Sequence, residues 1–156
     1  MTEKEIFEKL FSIFNISNDT NGVVASCLVR DGEILAEAVS NNESVHAEYA
    51  LLKKLESTGE DIKGTDIVYT TVEPCGRRTP GGRGEKMGDC TSNLIKAGAK
   101  HVIYAGEDPH ASGETRHKFE EAGIDFRQAG DRETISKAIS MFNATCENPE
   151  NWLPLQ

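Results

Sequence analysis

One histidine, one glutamate and two cysteines have the types and spacing to hold a metal ion and move protons beside it. His46-Ala47-Glu48 sets an imidazole two residues from a carboxylate, and Glu73-Pro74-Cys75 and Cys90 add two thiols farther along. Each fragment alone says little. A His-x-Glu triplet on a helix is ordinarily solvated or part of a cap, and a lone cysteine behaves as a small buried apolar residue. Taken together, one neutral imidazole and two thiolates balance the double charge of zinc. They also leave a fourth tetrahedral position for water, as a catalytic zinc requires. The expectation is a Zn2+ site on His46, Cys75 and Cys90, with Glu48 as the carboxylate that works the water.

These side chains meet only if the elements carrying them converge. From His46 onward, Ala47, Ala50, Leu51 and Leu55 form one apolar stripe at helical spacing. Residues 66–72 are β-rich and stop at Pro74, which cannot continue a central strand. Residues 90–98 read as a short helix closed by Gly98. His46 and Cys90 then stand at helix starts and Cys75 just past a strand end. The positive end of a helix favours thiolate over thiol. Residues two apart do not share a helix face, but in a first turn His46 and Glu48 can both reach a group held beyond the helix end.

On these residues the chain resembles the zinc-dependent cytidine and deoxycytidylate deaminase superfamily, whose signature is a His-x-Glu followed by Pro-Cys and a second cysteine. Its nearest likeness there is to the pyrimidine deaminase domain of riboflavin biosynthesis, through Arg78-Thr79-Pro80, Ala97-Gly98-Ala99, Asp108-Pro109 and Ala122-Gly123-Ile124 in the same order. The likeness spans about residues 21–127. It implies hydrolytic deamination of a small amino-pyrimidine or related heterocycle, and a homo-oligomer, dimer or tetramer. It also implies that Asn21 and Ala47 contact substrate. Asn21-Gly22-Val23-Val24-Ala25-Ser26 aligns with a family Asn-Pro-x-Val-Gly-Ala, with Gly22 in place of the proline and Ala25 in place of the glycine.

The segment between the two cysteines departs most from that family. Fourteen residues separate Cys75 from Cys90, against a shorter spacer in the riboflavin type, and the histidine that type carries after its first cysteine is missing. Residues 76–89 include five glycines and four basic side chains, Arg77, Arg78, Arg83 and Lys86. One reading is a surface insertion. The other is a lid whose arginines, Arg77 and Arg78 foremost, hold a substrate phosphate or carboxylate. His110 stands where the riboflavin type often has an asparagine near substrate, whereas His101 and His117 read as ordinary surface residues.

The rest of the chain supplies the frame. Residues 2–14 form an amphipathic helix with Ile6, Leu10, Ile13 and Phe14 on one face, widened by Phe7 and Phe11. Strands over 23–30 and 33–39 are joined by Asp31-Gly32, a hairpin signal, and Asn42 or Ser44 is positioned to cap the helix at His46. Residues 101–105 and 124–127 read as strands with a helix over 113–122 between them, which makes the two parallel. A last helix over 131–142 buries Ile135, Ala138, Ile139 and Phe142. The tail ends in Trp152-Leu153-Pro154-Leu155, apolar groups placed either to meet a neighbouring subunit or to fold back. The fold class is therefore α/β: a three-layer α/β/α sandwich around a five-stranded mixed sheet, in one domain over 1–156. The strand order 2-1-3-4-5 is implied by the resemblance.

Composition narrows the function classes. Net charge is −9, hydrophobic residues make up 37% and charged residues 28%. So acidic a surface repels polyanions, and phosphate neutralisation supplies most nucleic-acid affinity, so a small-molecule partner is expected. No apolar run approaches a membrane span, and no secretory leader is visible, which with four cysteines points to a reducing, cytoplasmic setting. Cys27 reads as core. The competing readings are a nucleic-acid editing deaminase, which shares the zinc motif, and an inert zinc-stabilised module, which would close the metal with a fourth protein ligand.

Overall fold

A computed structural model describes the backbone of residues 1–156 and every side chain except that of Ser112. Thr2 caps α1 (Glu3–Ser12) by accepting from the Glu5 amide, and the helix buries Ile6, Phe7, Leu10 and Phe11. The expected helix to residue 14 is shorter than predicted, because the chain tightens into a 3-10 turn over Phe14–Ile16. The hairpin of β1 (Ala25–Arg30) and β2 (Glu33–Val39) turns through Asp31 and Gly32, both at positive φ, the geometry that matches the twist of its strands. The first strand starts two residues later than expected.

Helix α2 (Ala47–Thr58) precedes the central β3 (Ile67–Val72), and α3 (Cys90–Lys96), β4 (His101–Gly106), α4 (Ser112–Glu121), β5 (Asp125–Gln128) and α5 (Arg132–Thr145) follow. The sheet order is β2-β1-β3-β4-β5. β1 is antiparallel to both β2 and β3, and β3, β4 and β5 run parallel. The parallel half requires its connecting helices, and α3 and α4 provide them. One face of the sheet packs Ala25, Cys27, Tyr69 and Ile103 against residues of α1 and α5. The other packs Leu28, Val68 and Val102 against Leu51, Leu55, Leu94 and Phe119 of α2, α3 and α4. Cys27 lies in this core, and burial pushes its thiol pKa up.

Two expectations are revised. Neither Asn42 nor Ser44 caps α2. His46 itself takes the capping position without a side-chain bond to the helix, while Asn42 accepts from the Thr20 amide and Ser44 turns with φ +64°. The tail folds back only in part, with Trp152 and Leu155 left exposed. Leu153 is buried beside Val72 and Ile139, and the Trp152 indole donates to the Cys146 carbonyl. No helix of the described residues is long and apolar enough to cross a membrane.

Candidate active site

The strand ends of the parallel half converge on the N-termini of α2 and α3, where open α/β sheets place ligands. Cys75 follows β3 by three residues, and its turn is docked on α3. The Thr91 amide and hydroxyl both donate to the Cys75 carbonyl, at 3.1 and 2.9 Å, and the Cys90 amide donates to Cys75 Sγ at 3.2 Å. Thr115 of α4 holds the preceding carbonyl of Pro74 at 2.8 Å. His46 arrives from the other side and turns Nδ1 to the sulfurs, 3.5 Å from Cys75 and 3.4 Å from Cys90.

The ligating atoms of these three residues all lie within 4.8 Å of one another, the one such cluster among the described residues. The spacing fits a tetrahedral metal, since zinc at ordinary bond lengths sets sulfur and nitrogen about 3.5 Å apart. The donors fit as well. Hydrogen bonding from Cys90 holds the Cys75 thiol down at about 4, whereas that same contact and burial push the Cys90 thiol up. Cys75 thus offers a thiolate at neutral pH, whereas Cys90 would give up its proton only as a cation binds. Three donors, not four, compose the cluster, which leaves room for a small exchangeable ligand.

Glu48, in the first turn of α2, is 3% exposed and lines the adjoining cavity with His46 and Cys75. Burial raises its carboxyl to about 7, partly offset by His46, so it can both accept and release a proton near neutral pH. The cavity, about 560 Å³, has the size of a small-ligand site.

The sequence-predicted contact residues occupy different places. Asn21 lines the cavity. Ala47 is fully buried and presents no surface to it. Arg77 lines the cavity with an exposed side chain whose Nε lies 3.9 Å from Glu114. Arg78 also lines the cavity but is tied to the chain. Its Nε donates to the Gly88 carbonyl at 2.9 Å, and Nη1 reaches the Ser44 carbonyl at 3.2 Å and His46 Nε2 at 2.9 Å. Arg83 donates to the Asn42 carbonyl at 3.1 Å. The 76–89 loop therefore borders the cavity, latched to the segment before α2. His110 is exposed on a neighbouring cleft.

Sequence reasoning passed over other cavity residues. Glu73 is 3% exposed; one oxygen accepts from the Asp108 amide at 3.1 Å and the other is buried without a partner. Burial raises its carboxyl to about 7. Its place in Glu-Pro-Cys was a signal, as was Asp108-Pro109 for Asp108. Phe142 of α5 also lines the cavity, and its helical spacing had marked it as core.

The family described as the cytidine and deoxycytidylate deaminase zinc-binding region matches residues 2–106. The riboflavin biosynthesis protein RibD of Aquifex aeolicus is 32% identical over 110 residues, 67% of this chain and 28% of that protein. The chain thus spans less than a third of that relative. A diaminohydroxyphosphoribosylaminopyrimidine deaminase/5-amino-6-(5-phosphoribosylamino)uracil reductase from Thermotoga maritima superposes with a TM-score of 0.67 at 25% identity, over 88% of this chain and 40% of that one. The Aspergillus oryzae Rib2 deaminase in complex with DARIPP shares the fold at a TM-score of 0.70 and 19% identity, covering 96% and 94%.

Proposed function

The chain belongs to the cytidine and deoxycytidylate deaminase zinc-binding family, and from that premise we propose that it hydrolytically removes an amino group, as ammonia, from a small amino-pyrimidine or related heterocycle. The observation that carries this reading is the convergence of His46, Cys75 and Cys90 beside buried Glu48 on one cavity. His46 Nδ1 and the two sulfurs would hold Zn2+. When bound, it acts as a Lewis acid that brings the pKa of water toward neutrality.

The remaining steps belong to the protein. Glu48, with its carboxyl raised by burial to about 7, takes a proton from water and delivers one to the ring nitrogen beside the amino-bearing carbon. It then helps the amine leave as ammonia. Asn21 and Arg77 are the lining groups best placed for the substrate's polar edge and any anionic arm. The relatives named for riboflavin biosynthesis make a pyrimidine of that kind one candidate substrate, beside cytosine bases, nucleosides and nucleotides.

A nucleic-acid substrate is disfavoured by the net charge of −9. The loop arginines do not offset this, because Arg78 and Arg83 are hydrogen-bonded to the backbone and Arg77 lies near Glu114.

The test is zinc content together with ammonia release across free bases, nucleosides, nucleotides and diaminohydroxyphosphoribosylaminopyrimidine, with Glu48→Ala alongside. Release from one compound, abolished in the variant, is the expected result. One zinc per chain with no release from any compound would overturn the substrate class.

A further inference from the structure

We propose that the ring of Phe142 is the surface on which the substrate heterocycle stacks, and that Gly22 is the residue that gives the ring room to do so. The assignment rests on reading the cavity as the site of a heterocycle deaminase. Phe142 lies outside the 2–106 segment that matches the family, so no motif of that match marks it.

Along α5, Ala138 and Ile139 are fully buried, whereas Phe142 is half-buried and faces the cavity. Its ring occupies the volume that a side chain at position 22 would fill. A Cβ on Gly22 would fall 2.3 Å from Phe142 Cε2 and Cζ, far inside contact distance. The backbone there also has φ +102°, which a side chain would strain.

The ring is held on both sides. The Val23 amide donates to Thr145 Oγ1 at 2.7 Å, the Glu147 amide to the Thr20 carbonyl at 2.9 Å, and Asn21 bridges to Cys146. Behind the ring, Leu153 packs with Val72 and Ile139, and Asn143 and Leu153 exchange two hydrogen bonds of 3.0 and 2.8 Å. A ring fixed this way is ordered before ligand arrives, which lowers the entropic cost of binding.

The chemistry of the lining singles this ring out. A planar amino heterocycle has polar edges and apolar faces. Most of the lining is polar or charged, so the edges have many partners, but the apolar side chains are only Val24, Val72 and Phe142. Phe142 is the sole Phe, Tyr or Trp of the lining, and the other aromatic ring there, the His46 imidazole, is engaged with the two sulfurs and Arg78.

The test is calorimetric titration of the zinc-loaded protein with cytosine, cytidine, deoxycytidine monophosphate and diaminohydroxyphosphoribosylaminopyrimidine, in a Glu48→Gln background that prevents turnover. Phe142→Leu keeps apolar packing on Leu153 and loses the π face. It should weaken binding of the recognised heterocycle on the order of tenfold with zinc content unchanged, while Phe142→Tyr stays within about twofold. Phe142→Met, apolar and flexible but without a π face, serves as the test should Phe142→Leu fail to fold, and Gly22→Ala, which displaces the ring, should reproduce the loss. A parent that binds, with Phe142→Leu and Gly22→Ala equally tight, overturns the stacking role and leaves the deaminase reading standing. A parent that binds none of the four overturns both.

Discussion

Nη1 of Arg78 lies 2.9 Å from Nε2 of His46, the imidazole nitrogen turned away from the two sulfurs. A guanidinium has only donors, so this Nε2 accepts and the ring hydrogen sits on Nδ1, facing Cys75 and Cys90. A metal on Nδ1 reverses the arrangement. The neutral ring then carries its hydrogen on Nε2, against an Arg78 N–H, and two donors cannot bond. Arg78 is therefore expected to leave His46 on zinc loading while keeping the Ser44 and Gly88 carbonyls. A crystal structure of the zinc-loaded protein should show the Nη1–Nε2 separation beyond about 3.5 Å. A retained 2.9 Å contact would contradict the Nδ1 assignment.

Metal retention and turnover should separate cleanly by residue. Cys90→Ala removes one of three donors and should leave the chain without stoichiometric zinc after dialysis. Glu48→Gln keeps the donors and the side-chain volume, and should retain zinc while ammonia release falls by at least about a hundredfold. Zinc unchanged in Cys90→Ala would point to another ligand, and undiminished release in Glu48→Gln would remove Glu48 from proton transfer.

The convergence of His46, Cys75 and Cys90 was legible because donor chemistry restricts the choices. Few pairings other than two thiolates and an imidazole suit a strand end facing two helix starts, and Pro74 marks that strand end in the sequence itself. The sheet's alternation of strands and helices was legible for the same reason, since its apolar periods switch at Pro74, Gly98 and Gly123. Phe142 was not. A helical stripe reports which face turns inward, and cannot say that one member of the stripe borders a cavity while Ala138 and Ile139 border solid core. The hydrogen bonds that tie Arg78 down were not legible, because its acceptors, Ser44 and Gly88, come together only after folding.

The pair of Arg30 and Asp66 predicts how stability responds to acid. Arg30 grips the carboxylate with two bonds, Nε to Oδ1 at 3.0 Å and Nη2 to Oδ2 at 2.9 Å, and the Lys63 amide adds a third at 2.7 Å. The carboxylate is fully buried, and the Arg30 bonds hold it below its ordinary pKa of 3.8. A folded pKa below the unfolded one means that this stabilisation is complete above 3.8 and lost as pH falls through the folded value. Asp66→Asn should cost about 3 kcal/mol at pH 7 in urea denaturation, and the gap to wild type should narrow below pH 3.8. A gap of the same size at pH 7 and in acid would show that the ionised pair contributes nothing.

Gly84→Ala tests whether the loop acts through Arg78. A Cβ at position 84 would sit 2.5 Å from Arg78 Nη1 and 2.9 Å from its Cζ, while the local backbone, at φ −86°, accommodates alanine. The added methyl group therefore has one route of effect, displacement of a guanidinium that joins Ser44, His46 and Gly88. Gly84 is buried, so the methyl group should lower global stability by about 1 kcal/mol, the low end for overpacking beside a flexible side chain, and KM for the recognised heterocycle should shift toward that of Arg78→Ala. The decisive comparison is the double variant. If both changes act on one guanidinium, Gly84→Ala adds nothing once Arg78→Ala is present, because residues in contact do not contribute independently. Additive effects on KM would instead mean that the loop shapes the cavity through its own backbone, with Arg78 a bystander.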